Sequence, residues 1–589
     1  MKELFAVNKY IFRYRGRIFL GFVFVALSNY FGILIPQKIG AALDYVRDTV
    51  QKVSVENNME ALSAALLKFS LIVIAFVLLK GYFMYMMRQT VIVVSRLIEY
   101  DMRKDIYAHL QVQDTSFYKK SKTGDLMSRI AEDVSKVRNY LGPGILYGFN
   151  LITLFAFTIY AMISVSPKLT LLTLLPLPFL SLSIYYVSDK IHTHSTIIQK
   201  QLSKLTVITQ EVFSGIRVVK SHGKETMFAD YFKDESQNFK NKSLALARVN
   251  ALFFPLMILL INASTLIVLL IGGKYVLNGT VTPGNIVEFI IYVNMLTWPV
   301  TSIGWIASII QEAEASQARI NAILQVKSEL INGSEKLEEL KGDIVFDKVN
   351  FTYPETGIQA LQNFNLHIRA GQKIAILGKT AAGKSTIAEL ILRMYDPQDG
   401  EVRLDGKSLK KYDFHTIRDQ IAYVPQEVFL FSDTVLQNIA FGVDTLTLED
   451  ARKYAQNVCI DDEIMKLKDG YTTLVGERGV TLSGGQKQRI SIARALVRDP
   501  KFLILDDCLS AVDVETEQNI LNYLNDVLKD KTAIIITHRV HSLQNFDQII
   551  VIDQGSIVEQ GTHDELINLP DGYYAQMLEN ANEGVASWA

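Results

Sequence analysis

Cysteine is scarce in this sequence, and neither sign of charge is in excess. Of the 589 residues only two are cysteine, Cys459 and Cys508, and both lie in the C-terminal half. The 60 lysines and arginines are balanced by 61 aspartates and glutamates, for a formal net charge of −1. A chain without a global positive bias lacks the electrostatic footprint of a nucleic-acid-binding protein. We therefore expect no nucleic-acid partner.

Apolar residues, in contrast, make up 49% of the chain and are unevenly distributed. Long apolar runs alternate with charged helical stretches before residue 312, whereas the composition after residue 340 is that of a soluble α/β domain. A helix needs about 20 apolar residues to cross a bilayer. Six runs approach that length: residues 17–36, 67–87, 144–165, 169–187, 253–271 and 286–310. We therefore predict a helical domain with six spans in a lipid bilayer.

Two long segments between these spans, residues 88–138 and 190–248, are rich in lysine and arginine. Basic residues concentrate on the cytoplasmic side of membrane proteins. We therefore expect both segments and both termini in the cytosol, and the protein in the cytoplasmic (inner) membrane. Each segment keeps helical periodicity and has a helix-breaking run near its middle, at residues 121–124 and 221–224. This pattern predicts membrane helices that continue beyond the bilayer, turn and return.

Residues 378–385 read Gly-Lys-Thr-Ala-Ala-Gly-Lys-Ser, which fits the phosphate-binding loop pattern. In that loop, glycines let backbone N–H groups point at phosphate oxygens, Lys384 reaches the outer phosphates, and the Ser385 hydroxyl binds Mg²⁺. The apolar run 373–377 predicts a buried strand before the loop. The residues that follow predict a helix whose N-terminus faces the anion.

Further motifs follow in order, and the series resembles that of the ABC-type ATPases. Leu-Ser-Gly-Gly-Gln at residues 482–486 is similar to the family's signature, and the apolar run 502–506 is similar to its Walker B strand. The aspartate that ends this run, Asp506, would hold Mg²⁺ through water. Because an ABC ATPase uses cytosolic ATP, we expect no disulfide between the two cysteines.

The resemblance implies roles for several single residues. Tyr353 matches the aromatic residue that stacks on adenine, Gln426 the glutamine that contacts Mg²⁺, and His538 the switch histidine. Residues 510–513 match the turn that crosses to a partner ATPase, and Glu477 lies in a motif typical of exporters. The residues assigned to ATP binding are Tyr353, Gly378, Lys379, Thr380, Ala381, Ala382, Gly383, Lys384, Ser385, Thr386, Ser483, Gly484, Gly485 and Gln486. The metal ligands are Ser385, Gln426 and Asp506, and the catalytic residues are Asp507, His538 and Gln426.

The sequence departs from the family pattern at two positions. Ala381 replaces a glycine, which would strain the loop by about 1 kcal/mol if that position needs a positive φ. Asp507 replaces the glutamate that polarises the attacking water, and its side chain is one methylene shorter. A displacement of about 1 Å can cost ~10²-fold in rate. Asp507 is either a slower but working base or the mark of a degenerate nucleotide site, and we favour the degenerate site.

The membrane half extends the resemblance to the whole chain, which is similar to the half-transporters of type IV ABC exporters. The resemblance implies a transmembrane domain over residues 1–310 with two coupling helices, a linker at 311–340, a nucleotide-binding domain at 341–580 and a tail at 581–589. It also implies a second half-transporter as partner, with a heterodimer favoured over a homodimer. In such dimers ATP lies between the phosphate loop of one chain and the signature of the other.

The expected function is ATP-driven export of an amphipathic or hydrophobic compound, which could be a drug, a lipid or a peptide. ATP and Mg²⁺ are the expected cofactors. The alternative is a weakly hydrolysing regulatory subunit or an ATP-gated channel, which the shortened base Asp507 would allow. The full set of other motifs favours the transporter.

Overall fold

The computed structural model describes residues 2–52, 59–476, 482–540 and 543–582. The N-terminal part is helical. Its helices are α1 (Asn8–Arg13), α2 (Arg15–Lys52), α3 (Met59–Met87), α4 (Val93–Gln111), α5 (Thr115–Lys120), α6 (Thr123–Ser128), α7 (Val134–Asn139), α8 (Ile145–Val165), α9 (Pro167–Leu174), α10 (Pro176–Ser214), α11 (Ile216–Ser221), α12 (Glu225–Ile267), α13 (Gly273–Leu277) and α14 (Pro283–Leu324).

Five helical stretches among the described residues are long and apolar enough to cross a membrane. They are Arg15–Gln51, Glu60–Gln111, Thr123–Val165, Glu225–Leu277 and Pro283–Leu324. Short π-helical turns such as Arg88–Ile92 join neighbouring helices within these stretches. The remaining predicted span, residues 169–187, is also helical and falls on α9 and the start of α10. The helical transmembrane architecture is therefore confirmed.

The C-terminal part alternates strands and helices. Its strands are β1 (Ile344–Thr352), β2 (Gln359–Ile368), β3 (Lys373–Gly378), β4 (Asp399–Leu404), β5 (Lys407–Ser408), β6 (Ile421–Val424), β7 (Phe502–Asp506), β8 (Thr532–Ile536), β9 (Gln548–Asp553) and β10 (Ser556–Gly561). Its helices are α15 (Lys384–Ile391), α16 (Phe414–Gln420), α17 (Val435–Ala440), α18 (Leu448–Asn457), α19 (Asp461–Met465), α20 (Gly484–Leu496), α21 (Val514–Val527), α22 (His563–Ile567) and α23 (Tyr573–Asn582).

These strands form two sheets. A four-stranded antiparallel sheet has the order β2-β1-β4-β5, and a six-stranded sheet has the order β10-β9-β3-β8-β7-β6. The pairs β3–β8, β3–β9, β7–β8 and β6–β7 are parallel. Strands β7 and β8 are buried along their whole length, as expected for a parallel sheet covered on both faces. The α/β fold predicted for this half is confirmed.

The chain divides into two compact units. The first comprises Met1–Gln111 and Gly124–Val326, and the second comprises Val112–Thr123 and Lys327–Ala589. The second unit therefore contains α5 together with the α/β fold. Helix α14 ends at Leu324, so the predicted linker 311–340 is helical in its first part.

Within the first unit, aromatic and polar side chains fix the packing of α2. Tyr292 is fully buried and donates a hydrogen bond to the Ile33 carbonyl at 3.3 Å. The Asn29 side-chain amide donates to Asn150 Oδ1 at 3.1 Å and to Thr153 Oγ1 at 2.7 Å. Buried polar groups in an apolar helical core need such partners, because each unsatisfied group costs several kcal/mol. These bonds hold α2 against α14 and α8.

Candidate functional site

The predicted site residues lie where parallel strands end. Strand β3 ends at Gly378, β7 at Asp506, and β8 at Ile536, two residues before His538. Strand β6 ends at Val424, two residues before Gln426. Parallel strands present their carboxyl ends at one edge of a sheet, and ligands bind in the crevice outside that edge. The topology therefore brings together residues that are far apart in sequence.

The two outer glycines of the phosphate loop are required by its close approach to neighbouring backbone. Gly378 has φ +155°, and a Cβ there would lie 2.3 Å from the Ile552 carbonyl oxygen. Gly383 has φ +99°, and a Cβ there would lie 2.3 Å from the Ala360 carbonyl oxygen. Neither position accepts a side chain without moving the backbone. The loop then enters α15, whose N-terminus favours an anion.

Ala381, within the same loop, has φ +64°. This is the left-handed region that favours glycine, and an alanine there is strained by about 1 kcal/mol. The sequence predicts strain at Ala381 only if its φ is positive, and the structure meets that condition.

Lys384 lies at the start of α15 with its side chain folded along the loop. Its ammonium donates hydrogen bonds to the carbonyl oxygens of Gly378 and Lys379, both at 2.7 Å. Burial lowers the pKa of Lys384, while the carboxylates of Asp507 and Asp506 act in the opposite direction. A desolvated cation that faces two carboxylates is well placed to bind phosphate oxygens.

The predicted metal ligands supply the oxygen donors that Mg²⁺ prefers. Asp506 is buried, and it accepts hydrogen bonds from Ser385 and from Tyr423, the latter at 3.4 Å. Burial and the neighbouring Asp507 raise the pKa of Asp506, and a bound cation would relieve both effects. Among the described residues no three His, Cys, Asp or Glu side chains gather as a metal cage. Mg²⁺ needs none, because it is held by one or two carboxylates together with water and phosphate.

Asp507 lies between two of the predicted catalytic residues. Its Oδ1 is 2.8 Å from His538 Nδ1, and its Oδ2 accepts a long hydrogen bond of 3.4 Å from the Gln426 amide. The hydrogen bond with Asp507 raises the pKa of His538. Asp507 also has φ +45°, a left-handed conformation that aspartate tolerates better than most residues. The structure thus joins Asp507, His538 and Gln426 in one hydrogen-bonded group.

Tyr353 is fixed at the other end of the site by its phenol group. The hydroxyl lies 2.9 Å from Thr386 Oγ1 and donates to Glu389 Oε2 at 2.8 Å. Burial raises the pKa of Tyr353, so the phenol stays protonated at neutral pH and can donate. The ring orientation is therefore set by α15, the helix that follows the phosphate loop.

A cavity of about 920 Å³ joins these groups. Its lining includes Tyr353, the whole loop from Gly378 to Thr386, Gln426, Asp506, Asp507 and His538. Sequence reasoning missed other lining residues, including Lys119, Thr356, Asp553, Tyr573 and Met577. They belong to no recognisable motif, and their place in the cavity depends on the tertiary fold.

The signature residues do not line this cavity as the structure describes it. Ser483 caps the N-terminus of α20, and it forms reciprocal hydrogen bonds with Gln486. The Gln488 side chain bonds Ser510 Oγ at 3.1 Å and Ala511 N at 3.0 Å, which joins α20 to the turn 510–513. Gly484 and Gly485 form the first turn of α20, where backbone N–H groups are available to an anion. Glu477 lies outside the described residues.

The fold and the site define a membrane-spanning ATPase with a phosphate-binding loop. Residues 18–300 match the model of the ABC transporter transmembrane region, and residues 361–510 match the ABC transporter model. The chain is 35% identical over 577 residues to the multidrug resistance-like ATP-binding protein MdlA of Escherichia coli, covering 98% of this chain and 96% of that protein. The chain therefore belongs to the ABC transporter family, whose members couple ATP hydrolysis to transport.

Two further comparisons agree with this assignment. The ATP-dependent lipid A-core flippase of Pseudomonas fluorescens is 35% identical over 489 residues, covering 82% of this chain and 80% of that protein. A solved bacterial Atm1-family ABC exporter with ATP bound superposes with a TM-score of 0.77 at 24% identity, covering 96% of this chain and 99% of that chain. This structural similarity shows the exporter fold.

The strain at Ala381 can be measured by replacing the residue with glycine. We expect Ala381→Gly to raise the stability of the protein by up to about 1 kcal/mol, because glycine adopts φ +64° without strain. Ala382→Gly is the matched control and should lose at least about 0.5–1 kcal/mol, because it adds unfolded-state entropy and also removes a buried methyl group. Thermal unfolding of the full-length protein in lipid nanodiscs measures both. Equal destabilisation by the two substitutions would contradict a strained Ala381.

The role of Lys384 can be measured by nucleotide binding. We expect Lys384→Ala to weaken ATP binding at this loop by about 10- to 100-fold, because a hydrogen bond between charged groups contributes about 1.5–3 kcal/mol. Titration calorimetry on the purified protein, with any partner's loop disabled, measures the loss. Lys468→Ala, which removes an exposed lysine outside the cavity, should leave the affinity unchanged. Unchanged affinity in Lys384→Ala would refute the assignment of the loop.

Proposed function

We propose that this protein is one half of a dimeric ABC exporter that moves an amphipathic or hydrophobic compound out of the cytosol. One observation supports this proposal most directly: one cavity at the strand ends is lined by Tyr353, the phosphate loop and the residues proposed to bind Mg²⁺ and to catalyse hydrolysis. The names of the relatives, a multidrug resistance-like protein and a lipid A-core flippase, agree with an apolar cargo.

The residues have separate tasks in this proposal. ATP binds with its base on Tyr353 and its phosphates on residues 378–386, while Mg²⁺ is held by Ser385, Asp506 and Gln426. Ser483, Gly484, Gly485 and Gln486 serve the nucleotide of the partner chain, which agrees with their absence from the described lining of this cavity. Both termini and the ATPase domain lie in the cytosol, and the turns at residues 121–124 and 221–224 lie beside coupling helices that contact ATPase domains.

We also propose that the ATP site containing Asp507 is the weaker of two sites in a heterodimer. The His538 and Gln426 side chains already hold both oxygens of Asp507. A carboxylate one methylene shorter than glutamate reaches less far towards an attacking water. A base must lie about 2.6–3.2 Å from the proton that it removes. The partner then supplies the stronger base, and this chain supplies an intact signature to the partner's site.

The asymmetry predicts different costs for two substitutions in the assembled transporter. We expect Ser483→Ala to reduce ATP hydrolysis strongly, because it damages the site where the partner's base acts, whereas Asp507→Asn should reduce it little. Ser483 is also a helix cap, so Thr447→Ala, which removes the cap of α18, controls for lost helix stability of about 1 kcal/mol. Steady-state phosphate release measures all three variants. Equal losses in Ser483→Ala and Asp507→Asn would refute the weak-site assignment.

The same argument predicts slow hydrolysis by this chain on its own. A homodimer would contain two shortened bases, and a barrier about 2.7 kcal/mol higher corresponds to about 10² in rate. We expect the protein expressed alone to hydrolyse ATP slowly, and co-expression with its partner to restore hydrolysis and uphill efflux from vesicles. Fast hydrolysis by the isolated protein that is abolished by Asp507→Asn would show a working homodimer. Restored hydrolysis without uphill efflux would instead favour the regulatory or channel function.

A further inference from the structure

A short helix from the membrane half of the sequence belongs to the same compact unit as the ATPase fold. Helix α5 begins after Asp114, whose Oδ1 accepts from the Phe117 N–H at 2.9 Å. The other oxygen, Oδ2, accepts from Ser328 Oγ at 3.0 Å and from the Glu329 N–H at 2.8 Å. Asp114 therefore caps α5 and also fixes it to the segment that leads into β1.

Lys119, near the end of this helix, reaches the tyrosine assigned to adenine. Its ammonium lies 4.9 Å from the centroid of the Tyr353 ring and 5.1 Å from that of the Tyr395 ring. Both distances are within the range of a cation–π contact. The same ammonium is 3.4 Å from Glu389 Oε1. Lys119 also lines the ATP cavity.

Glu389 connects Lys119 to Tyr353, because its other carboxylate oxygen accepts the hydrogen bond from the Tyr353 hydroxyl at 2.8 Å. Lys119 thus contacts the Tyr353 ring directly and also holds the carboxylate that orients its hydroxyl. The Tyr395 ring packs perpendicular to the Tyr353 ring, with centroids 5.5 Å apart. An exposed ion pair alone contributes little. Here the ion pair acts together with two contacts made to the Tyr353 ring, one by the Lys119 ammonium and one by the Tyr395 ring.

We propose that Lys119 is a positioning residue for the adenine base and connects occupancy of the base site to the α5 segment. The proposal rests on the proposed function of Tyr353 as the adenine-stacking residue. When the base is bound, Lys119 and Glu389 hold the Tyr353 ring in its stacking orientation. In return, the stacked ring restrains Lys119 and so restrains α5. The Lys119–Tyr353 contact is already present without nucleotide, and only the base of a bound nucleotide, not its triphosphate, would stack on the ring and restrain it further.

The proposal can be tested by comparing a ligand with a base to one without. We expect Lys119→Met to weaken binding of Mg-ATP by about three- to fivefold and to leave binding of Mg-tripolyphosphate unchanged, from the size of a partly exposed cation–π contact. Lys119→Arg, which keeps the charge and the aromatic contact, should restore ATP binding. Lys120→Met is the matched control, because Lys120 is the exposed next residue of the same helix, and it should change neither affinity. Calorimetry on the full-length protein in nanodiscs gives both affinities.

Hydrogen exchange tests the connection to α5. In the wild type, amides of residues 112–123 should exchange more slowly with Mg-ATP than with Mg-tripolyphosphate at equal saturation, and Lys119→Met should remove this difference. An unchanged ratio of the two affinities, an equal loss for both ligands, or no base-dependent protection in the wild type would each overturn the proposal. The Lys384→Ala variant separates these results from failure of the proposed function, because it should weaken binding of both ligands.

Discussion

The parallel pairing of β3 with its neighbours is the constraint on which the site depends. Strand β3 pairs with β8 on one side and β9 on the other, and β7 and β6 continue the same direction. This register places the phosphate loop, Asp506 and His538 at one edge although about 160 residues separate the first from the last. A one-residue shift of β3 would turn each of its side chains to the opposite face of the sheet, so that the separate cores on both faces would have to repack. The strand ends that carry the site are therefore held in place by the core of the domain.

Much of this arrangement could be predicted from the sequence because the motifs lie at strand ends and loops. The apolar runs 373–377, before the phosphate loop, and 502–506, which ends at Asp506, predict strands, and both are strands in the structure, β3 and β7. Both cysteines, Cys459 and Cys508, are free thiols in the structure. The strain at Ala381 could not be predicted outright, because the φ angle of a residue in the phosphate loop is set by the folded loop and not by the residue type. The motifs point to His538 and Gln426 separately. Only the folded structure shows that the two side chains bind the two carboxylate oxygens of Asp507.

The contacts of Lys119, in contrast, could not be predicted from the sequence. Its nearest aromatic partners, Tyr353 and Tyr395, lie more than 200 residues away in sequence, and no motif links them. A lysine in a charged helical segment is usually a solvated side chain, and the sequence offered no reason to separate it from Lys120. Only the packing of α5 against α15 distinguishes the two. Residues that connect elements distant in sequence are therefore the ones that pattern-based reasoning misses.

The discontinuous make-up of the second unit has a consequence for biosynthesis. Residues 112–123 leave the ribosome long before Lys327, where the rest of their unit begins. Domains of most multidomain chains fold as they emerge, the N-terminal one first. Here α5 must wait until the later membrane helices have been made before Tyr353, Glu389 and Tyr395 exist to receive Lys119. The α/β unit is thus completed by a segment that is synthesised first and joins the unit last.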